Sequence, residues 1–194
     1  MSKKKEKTTL NHAEFIVLGL VSEEPSHAYK LNKKIEERGM RNWTNIGRSS
    51  IYRVLKHLEK AEFIIKWIEE VDNRVLKVYQ TTEKGIKILI KKIFKTLNEF
   101  AGRNDEDYYV AFSMLPYLTQ EQQMESFTNS LKSTKKHKKE LEDMLKNALH
   151  YPLNVKGLFI HPIQILETNI KFLEWVLEEI KKGGGQVDPE AYNK

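Results

Sequence analysis

The chain has 194 residues, 33 Lys and Arg against 27 Asp and Glu, a formal net charge of +6, and no cysteine. That length allows one domain or two small ones, and 40% hydrophobic with 31% charged residues suits a chain that buries a core. Disulfide scaffolds, thiolate metal sites and thiol catalysis are excluded, and no apolar run approaches the ~18 residues that cross a bilayer.

The first seven residues, Met1 to Lys7, contain no apolar stretch of the kind a secretory signal carries, so a cytoplasmic protein without membrane contact is expected. The charge is unevenly divided. Residues 1–10 hold four Lys and one Glu (+3), residues 11–100 hold 17 basic and 12 acidic residues (+5), and residues 101–194 hold 12 basic and 14 acidic residues (−2). From Arg38 to Leu58 no acid occurs, while Arg38, Arg41, Arg48, Arg53 and Lys56 do. A basic half joined to a near-neutral half points to a polyanionic partner, with a merely solubilising surface as the plainer alternative.

Residues 1–9 read as a disordered basic arm. Asn11 is placed to cap a first helix carrying Phe15, Ile16, Leu18, Leu20 and Val21. Glu23-Glu24-Pro25 marks a turn, Ser26 is placed to cap a second helix with Ala28, Leu31 and Ile35 inward, and Gly39 stops it. After a loop with Trp43 and Ile46, a third helix is expected at 48–60. Its apolar positions Ile51, Val54, Leu55 and Leu58 step i, i+3, i+4, i+7. The β-branched run from Phe63 to Ile68, a turn at Val71-Asp72-Asn73-Arg74 and a second run from Val75 to Gln80 predict a hairpin. Thr81 or Thr82 caps a fourth helix ending near Gly102.

Three helices, a hairpin and a helix make the winged helix-turn-helix plan, here over residues 10–100. Residues 101–182 read differently. A short helix at 105–115 precedes a long one capped by Thr119, in which Met124, Leu131, Lys138 and Leu145 step by seven, as do Phe127, Thr134, Leu141 and Ala148. A last helix is expected to begin near Pro162 with Ile163, Leu166, Ile170, Leu173, Leu177 and Ile180 on its stripe. These 3–4 seams predict a helical dimerisation domain of coiled-coil character, with Met124, Phe127, Leu131, Leu141, Leu145, Ile163, Leu166, Ile170, Leu173 and Leu177 as contacts. Gly183-Gly184-Gly185 stops the last helix, and residues 183–194 read as a flexible tail. The fold class expected is thus mainly α, a three-helix unit with a two-stranded wing followed by an α-helical dimerisation domain.

The third helix is the central candidate. A helix offered to a major groove needs an apolar stripe behind it and short polar or cationic side chains in front. Arg48, Ser49, Ser50, Tyr52, Arg53 and Lys56 supply those, and Lys66, Arg74 and Lys77 are candidate phosphate contacts from the wing, although Glu69, Glu70 and Asp72 crowd its tip. An ordinary solvated amphipathic helix is the plain alternative. Trp67 and Tyr79 read as packing residues.

His27-Ala28-Tyr29, Ser49-Ser50-Ile51-Tyr52-Arg53-Val54-Leu55, Leu58-Glu59 and Phe63-Ile64 together resemble the PadR-type transcriptional regulators. Lys77-Val78-Tyr79-Gln80-Thr81-Thr82-Glu83-Lys84-Gly85 is similar to that family's second wing strand and following helix. The resemblance covers about residues 13–86, and the helical second half is similar in plan to members with a long C-terminal dimerisation domain. It implies a homodimeric DNA-binding regulator, usually a repressor, reading a palindromic operator, with Tyr29, Ser50, Tyr52 and Arg53 at or near DNA. Two residues depart from the family pattern: Ala28 and Glu62 stand where it usually has Gly. If position 62 needs a positive φ, Glu is strained there and the turn into the wing differs.

No enzyme is expected. The six His residues (12, 27, 57, 137, 150 and 161) form no i, i+4 pair, the glycine triplet lacks a phosphate-loop context, and no nucleophile stands beside a base. No metal or cofactor is expected. Beyond double-stranded DNA and a second copy of the chain, an unidentified small-molecule effector is a candidate partner. Phe112, Tyr117, Phe159, Phe172 and Trp175 are candidate pocket residues, against the plainer reading of core or interface packing. Two rival functions remain open: a coiled-coil protein-interaction adaptor that uses its winged helix for protein contacts, and an RNA-binding winged helix.

Overall fold

The computed structural model describes residues 9–186 except 48–49, 72–73, 104 and 149, so the expected basic arm up to residue 8, Arg48, Ser49 and the last eight residues lie outside the described residues. Two compact units divide between Lys92 and Ile93.

The first unit is built around α1 (His12–Glu23), whose residues Phe15 to Val21 are all buried. A helix apolar on every side belongs at the centre of a core. Asn11 caps it as expected: its Oδ1 accepts from the Glu14 amide, and Glu14 Oε2 accepts from the Asn11 amide, both at 3.0 Å. The next element departs from expectation. Ser26–His27 form a short strand, β1, and α2 (Ala28–Glu37) is capped by His27, whose Nδ1 accepts from the Lys30 amide at 3.1 Å, not by Ser26. A 3₁₀ turn at Met40–Asn42 leads to α3 (Ser50–Lys60). On α3, Ile51, Val54, Leu55 and Leu58 are buried as their spacing predicts.

The wing strands are β2 (Ile64–Val71) and β3 (Arg74–Thr81), antiparallel with Ile64 opposite Thr81 and Trp67 opposite Val78. The sheet has three strands in the order β1-β3-β2, because Ser26 and His27 pair with Tyr79 and Val78. The wing is the expected two-stranded hairpin, and β1 adds a third strand at its root that sequence did not predict, since a two-residue strand leaves no periodicity to read.

Glu62, joining α3 to β2, has φ +64, the left-handed conformation that a glycine would take without strain. The helix end around it is closed by Glu62 N donating to Glu59 O and Phe63 N to Leu58 O. Thr82 locks the same corner from the other side: its hydroxyl donates to Glu62 O at 2.8 Å and accepts from Gly85 N at 3.0 Å. Of the two candidate caps for α4 (Glu83–Glu99), Thr82 is therefore the one used.

The second unit holds α5 (Glu106–Ser113), a 3₁₀ turn (Leu115–Tyr117), α6 (Gln120–Asn147) and α7 (Leu153–Lys181). Thr119 and Gln122 form a reciprocal cap on α6. α7 begins nine residues earlier than its expected start at Pro162, with Pro152 at its N-cap and Pro162 inside it. Proline in a helix interior forfeits one backbone bond, and the flanking turns here, rich in Leu158, Phe159, Ile160 and Ile163, continue the helix regardless.

α6 and α7 pack on each other within one chain, so part of the expected seam lies between two helices of the same chain. Phe127, Ile163, Leu166 and Leu173 are buried in that intramolecular core. Met124, Leu131, Leu141, Leu145, Ile170 and Leu177 are half-buried at its margins. A 3–4 seam reports only that a helix has a helical neighbour, and here the neighbour is supplied in cis. Ion pairs Lys135–Glu174 at 2.7 Å and Lys138–Glu167 at 3.2 Å join the two helices. Part of the expected loose tail is also fixed: buried Gln123 donates through Nε2 to Leu115 O, Leu118 O and Gly185 O.

Candidate nucleic-acid interface

The candidate surface is the outer face of α3 with the adjoining hairpin. Because Ile51, Val54, Leu55 and Leu58 turn inward, Tyr52, Arg53, Lys56, His57 and Lys60 turn outward, and all five are exposed. Ser50, the first residue of α3, is half-buried, and its amide donates to Gly47 O at 3.1 Å. Tyr29, in the first turn of α2, is 71% exposed, with its ring stacked 6.2 Å from that of His27. An exposed tyrosine on each of α2 and α3 offers an apolar ring and a hydroxyl to a groove wall.

The cations of this unit fall into two groups. Those of α2 are taken up by acids of α1 and α2: Lys30 by Glu24, Lys34 by Glu23 and Glu24, and Arg38 by both oxygens of Glu23 at 2.5 and 2.8 Å. The Lys30 and Lys34 ammonium groups hold the Glu24 carboxyl down to about 2. For Glu23, burial pushes upward, but Arg38 and Lys34 outweigh it and hold the carboxyl below the usual range. Arg41 is engaged by Glu36 at 3.3 Å and by Asn32. The acid-free stretch is thus acid-free only along the chain, since folding brings Glu23 and Glu36 to its first two arginines.

Arg53, Lys56 and Lys60 on α3 and Lys77 on β3, by contrast, meet no carboxylate among the described residues. Lys66 on β2 is different again: its ammonium lies 2.7 Å from Glu59 of α3, which holds it above the ordinary lysine value. Only the backbone of Arg74 is described. Trp67 is half-buried and donates from Nε1 to Glu69 at 2.5 Å, so its indole is already occupied. Tyr79 is buried, which pushes its phenol up. Lys60, one heptad beyond Arg53, and Glu59 stand on the same helix outside the candidates read from sequence.

The second unit contains an open cleft of about 450 Å³ lined by Phe100, Arg103, Tyr108, Tyr109, Ile165 and Phe172, among others. Of the five aromatics expected at a pocket, only Phe172 lines it. Phe100 and Tyr108 stack with centroids 3.9 Å apart. The Tyr108 hydroxyl is buried without a hydrogen-bond partner among the described residues, and burial pushes it well above the ordinary phenol value. Among those residues no group of three His, Asp or Glu side chains could hold a metal, and no helix is long and apolar enough to cross a membrane.

Residues 17–91 match the family model described as the transcriptional regulator PadR-like family. None of the curated proteins compared matches the chain. Among solved structures, the smu.1704 protein of Streptococcus mutans is 30% identical over 41% of this chain and 70% of its own, with a TM-score of 0.35. PadR of Bacillus subtilis in complex with operator DNA is 16% identical over 88% of this chain and 98% of its own, with a TM-score of 0.43. PadR of Bacillus subtilis in complex with p-coumaric acid is 18% identical over 87% and 98%, with a TM-score of 0.37. With its winged-helix unit coinciding with the matched residues, the chain belongs to the PadR-like family of transcriptional regulators, whose members are generally non-enzymatic.

Proposed function

We propose that the chain is a homodimeric repressor that binds a palindromic operator in double-stranded DNA. α3 enters the major groove, and Ser50, Tyr52, Arg53 and Lys56, preceded by Arg48 and Ser49, face base edges and phosphates. Tyr29 and the wing residues Lys66, Arg74 and Lys77 flank that helix at the backbone. The observation that carries the reading is the set of exposed cations on α3, Arg53, Lys56 and Lys60, which have no carboxylate partner among the described residues, while those of α2 are neutralised. A polyanion is the partner that completes them, and phosphate neutralisation makes such binding fall steeply with salt. Two α3 helices related by a two-fold axis would meet half-sites about 34–36 Å apart.

Self-association is supported by apolar side chains that the single chain leaves uncovered. Met144, Tyr151, Leu153, Leu158, Ile160 and Ile165 are all exposed, and they cluster at the end of α6 and the first half of α7. Such a patch in a charged protein marks an interface. In this reading the half-buried seam residues Leu141 and Leu145 adjoin it on α6, and Met124, Leu131, Ile170 and Leu177 lie further along the same two helices. The cleft in the second unit, with aromatic walls and an unpartnered buried hydroxyl, supports an effector pocket whose occupant relieves repression.

Fluorescence anisotropy on duplexes from the upstream region of its own gene tests the DNA reading. Arg53→Ala is expected to weaken binding by about 10- to 100-fold, the cost of a lost base or phosphate contact. Unchanged affinity and an unchanged salt slope would sink it, and would favour the protein-interaction adaptor. Sedimentation tests the dimer: twice 22.8 kDa is expected at micromolar concentration, and a 22.8 kDa species contradicts it.

A further inference from the structure

Among the described cations proposed to meet DNA, Lys66 is the one that folding has already paired. Its partner Glu59 belongs to α3 itself, one turn beyond Lys56, so a negative charge is built into the recognition helix where it meets the wing. The pair is not an accident of two floppy side chains. Lys66 is fixed opposite Tyr79 in the β2–β3 ladder, and Tyr79 is buried beside Lys66, Glu59 and Tyr52. Strand, helix and aromatic wall thus converge on one ammonium–carboxylate contact, with Glu59 34% and Lys66 41% exposed.

A helix evolved only to attract phosphate gains nothing from a carboxylate in that place. We propose that Glu59 is a specificity-determining residue that withholds Lys66 from sequence-independent DNA. In the free protein the pair is neutral and adds nothing to the attraction that any duplex exerts. Lys66 exchanges Glu59 for a phosphate only when α3 is seated closely enough to place that phosphate against it. Glu59 acts through Lys66 and is a positioning residue. The physical reason is competition: a genome offers on the order of 10⁶–10⁹ wrong sites, and sequence-independent affinity is set chiefly by the number of phosphates neutralised. Removing one free cation from that count lowers binding everywhere except where geometry releases it.

This inference rests on the DNA-binding reading above, and its test keeps the two separable. Binding of a random-sequence 30-base-pair duplex is measured from low to moderate salt for wild type, Glu59→Gln, Lys66→Met and the double variant, with thermal melting of each as a folding control. Glu59→Gln is expected to bind about three- to tenfold more tightly at 0.1 M salt and to steepen the slope of log affinity against log salt by about 0.9, one additional phosphate. Lys66→Met alone is expected to change little, and the double variant to lose the gain. Three results would overturn the assignment while the DNA reading stands: an unchanged slope in Glu59→Gln, a gain that survives in the double variant, or a full unit of slope lost in Lys66→Met alone. A wild type without salt-dependent duplex binding fails the DNA reading itself, and the role of Glu59 with it.

Discussion

The two units solve the problem of unsatisfied groups in opposite ways. In the first, the apolar core is closed around α1 and the α2 cations are paired with acids, so the cations without a carboxylate among the described residues lie on α3 and β3. In the second, the charges between α6 and α7 are matched, but apolar side chains such as Leu153 and Leu158 stay exposed. Buried hydroxyls lack partners among the described residues in both units, Thr44 Oγ1 and Thr81 Oγ1 in the first and Tyr108 Oη, Ser126 Oγ and Thr134 Oγ1 in the second. In the first unit the unmatched groups include the cations of α3, alongside the exposed apolar side chains Ile65, Ile68 and Val75 of the wing. The other is incomplete in apolar surface. Unmatched chemistry of each kind names its own class of partner.

Two glycines test this division, because each is packed so tightly that any side chain breaks one unit. A Cβ on Gly85 would stand 2.1 Å from Phe63 O, a backbone atom, so Gly85→Ala is expected to cost about 3 kcal/mol or more. A Cβ on Gly102, at φ +75, would stand 2.4 Å from Leu166 Cδ2 and 2.7 Å from Thr134 Cγ2, so Gly102→Ala is expected to cost about 2–3 kcal/mol. Hydrogen exchange read by mass spectrometry should show faster exchange in residues 64–81 for the first variant and in α6 and α7 for the second. Equal loosening of both regions in either variant would break the comparison.

A smaller effect of opposite sign is expected at position 62. Glu62→Gly removes left-handed strain at the end of α3 and should raise stability by about 1 kcal/mol, read as a higher melting temperature of the first unit. The loss of the 3.4 Å contact to Lys84 subtracts little, since Glu62 is 81% exposed.

The smallest effect concerns acid. Glu23 and Glu24 are held below their ordinary values in the fold, Glu24 down to about 2, so their contribution is complete above about pH 4.5 and is lost as pH falls from there toward 2. Glu24 is 44% exposed, so only tenths of a kcal/mol are expected from it. Melting curves between pH 5 and 2.5 should show a shallower acid loss in Glu24→Gln than in wild type. An identical slope would remove Glu24 from the α1–α2 clasp.

Much of the first unit was legible because its signals are local. The cap at Asn11, the inward stripe of α3 and the strand runs of the wing each depend on neighbours within a turn or two. Position 62 was also readable: a residue where glycine is usual, at a helix end, adopts the positive φ that the pattern implied. β1 was not, since two residues acquire strand geometry only through pairing with Tyr79 and Val78. Likewise the seams of α6 and α7 revealed that each helix has a helical neighbour, while whether that neighbour lies in cis or in trans depends on distances the sequence does not hold. The free or paired state of each cation was illegible for the same reason. Arg38 and Arg53 look alike in sequence, and only folding sets Glu23 against the first.

The short strand β1 has a mechanical consequence. His27 ends that strand and caps α2 at once, so the root of the wing is clamped at Val78 and Tyr79 between β2 on one side and the start of a helix on the other. Only the pairs from Ile68–Lys77 outward to Val71–Arg74 project beyond the clamp, a cantilever four residue pairs long, roughly 13 Å at ~3.3 Å per residue. A short, rooted beam bends little. Load applied to its tip is carried into the start of α2, where Tyr29 stands two residues past His27, rather than absorbed by a swinging hairpin.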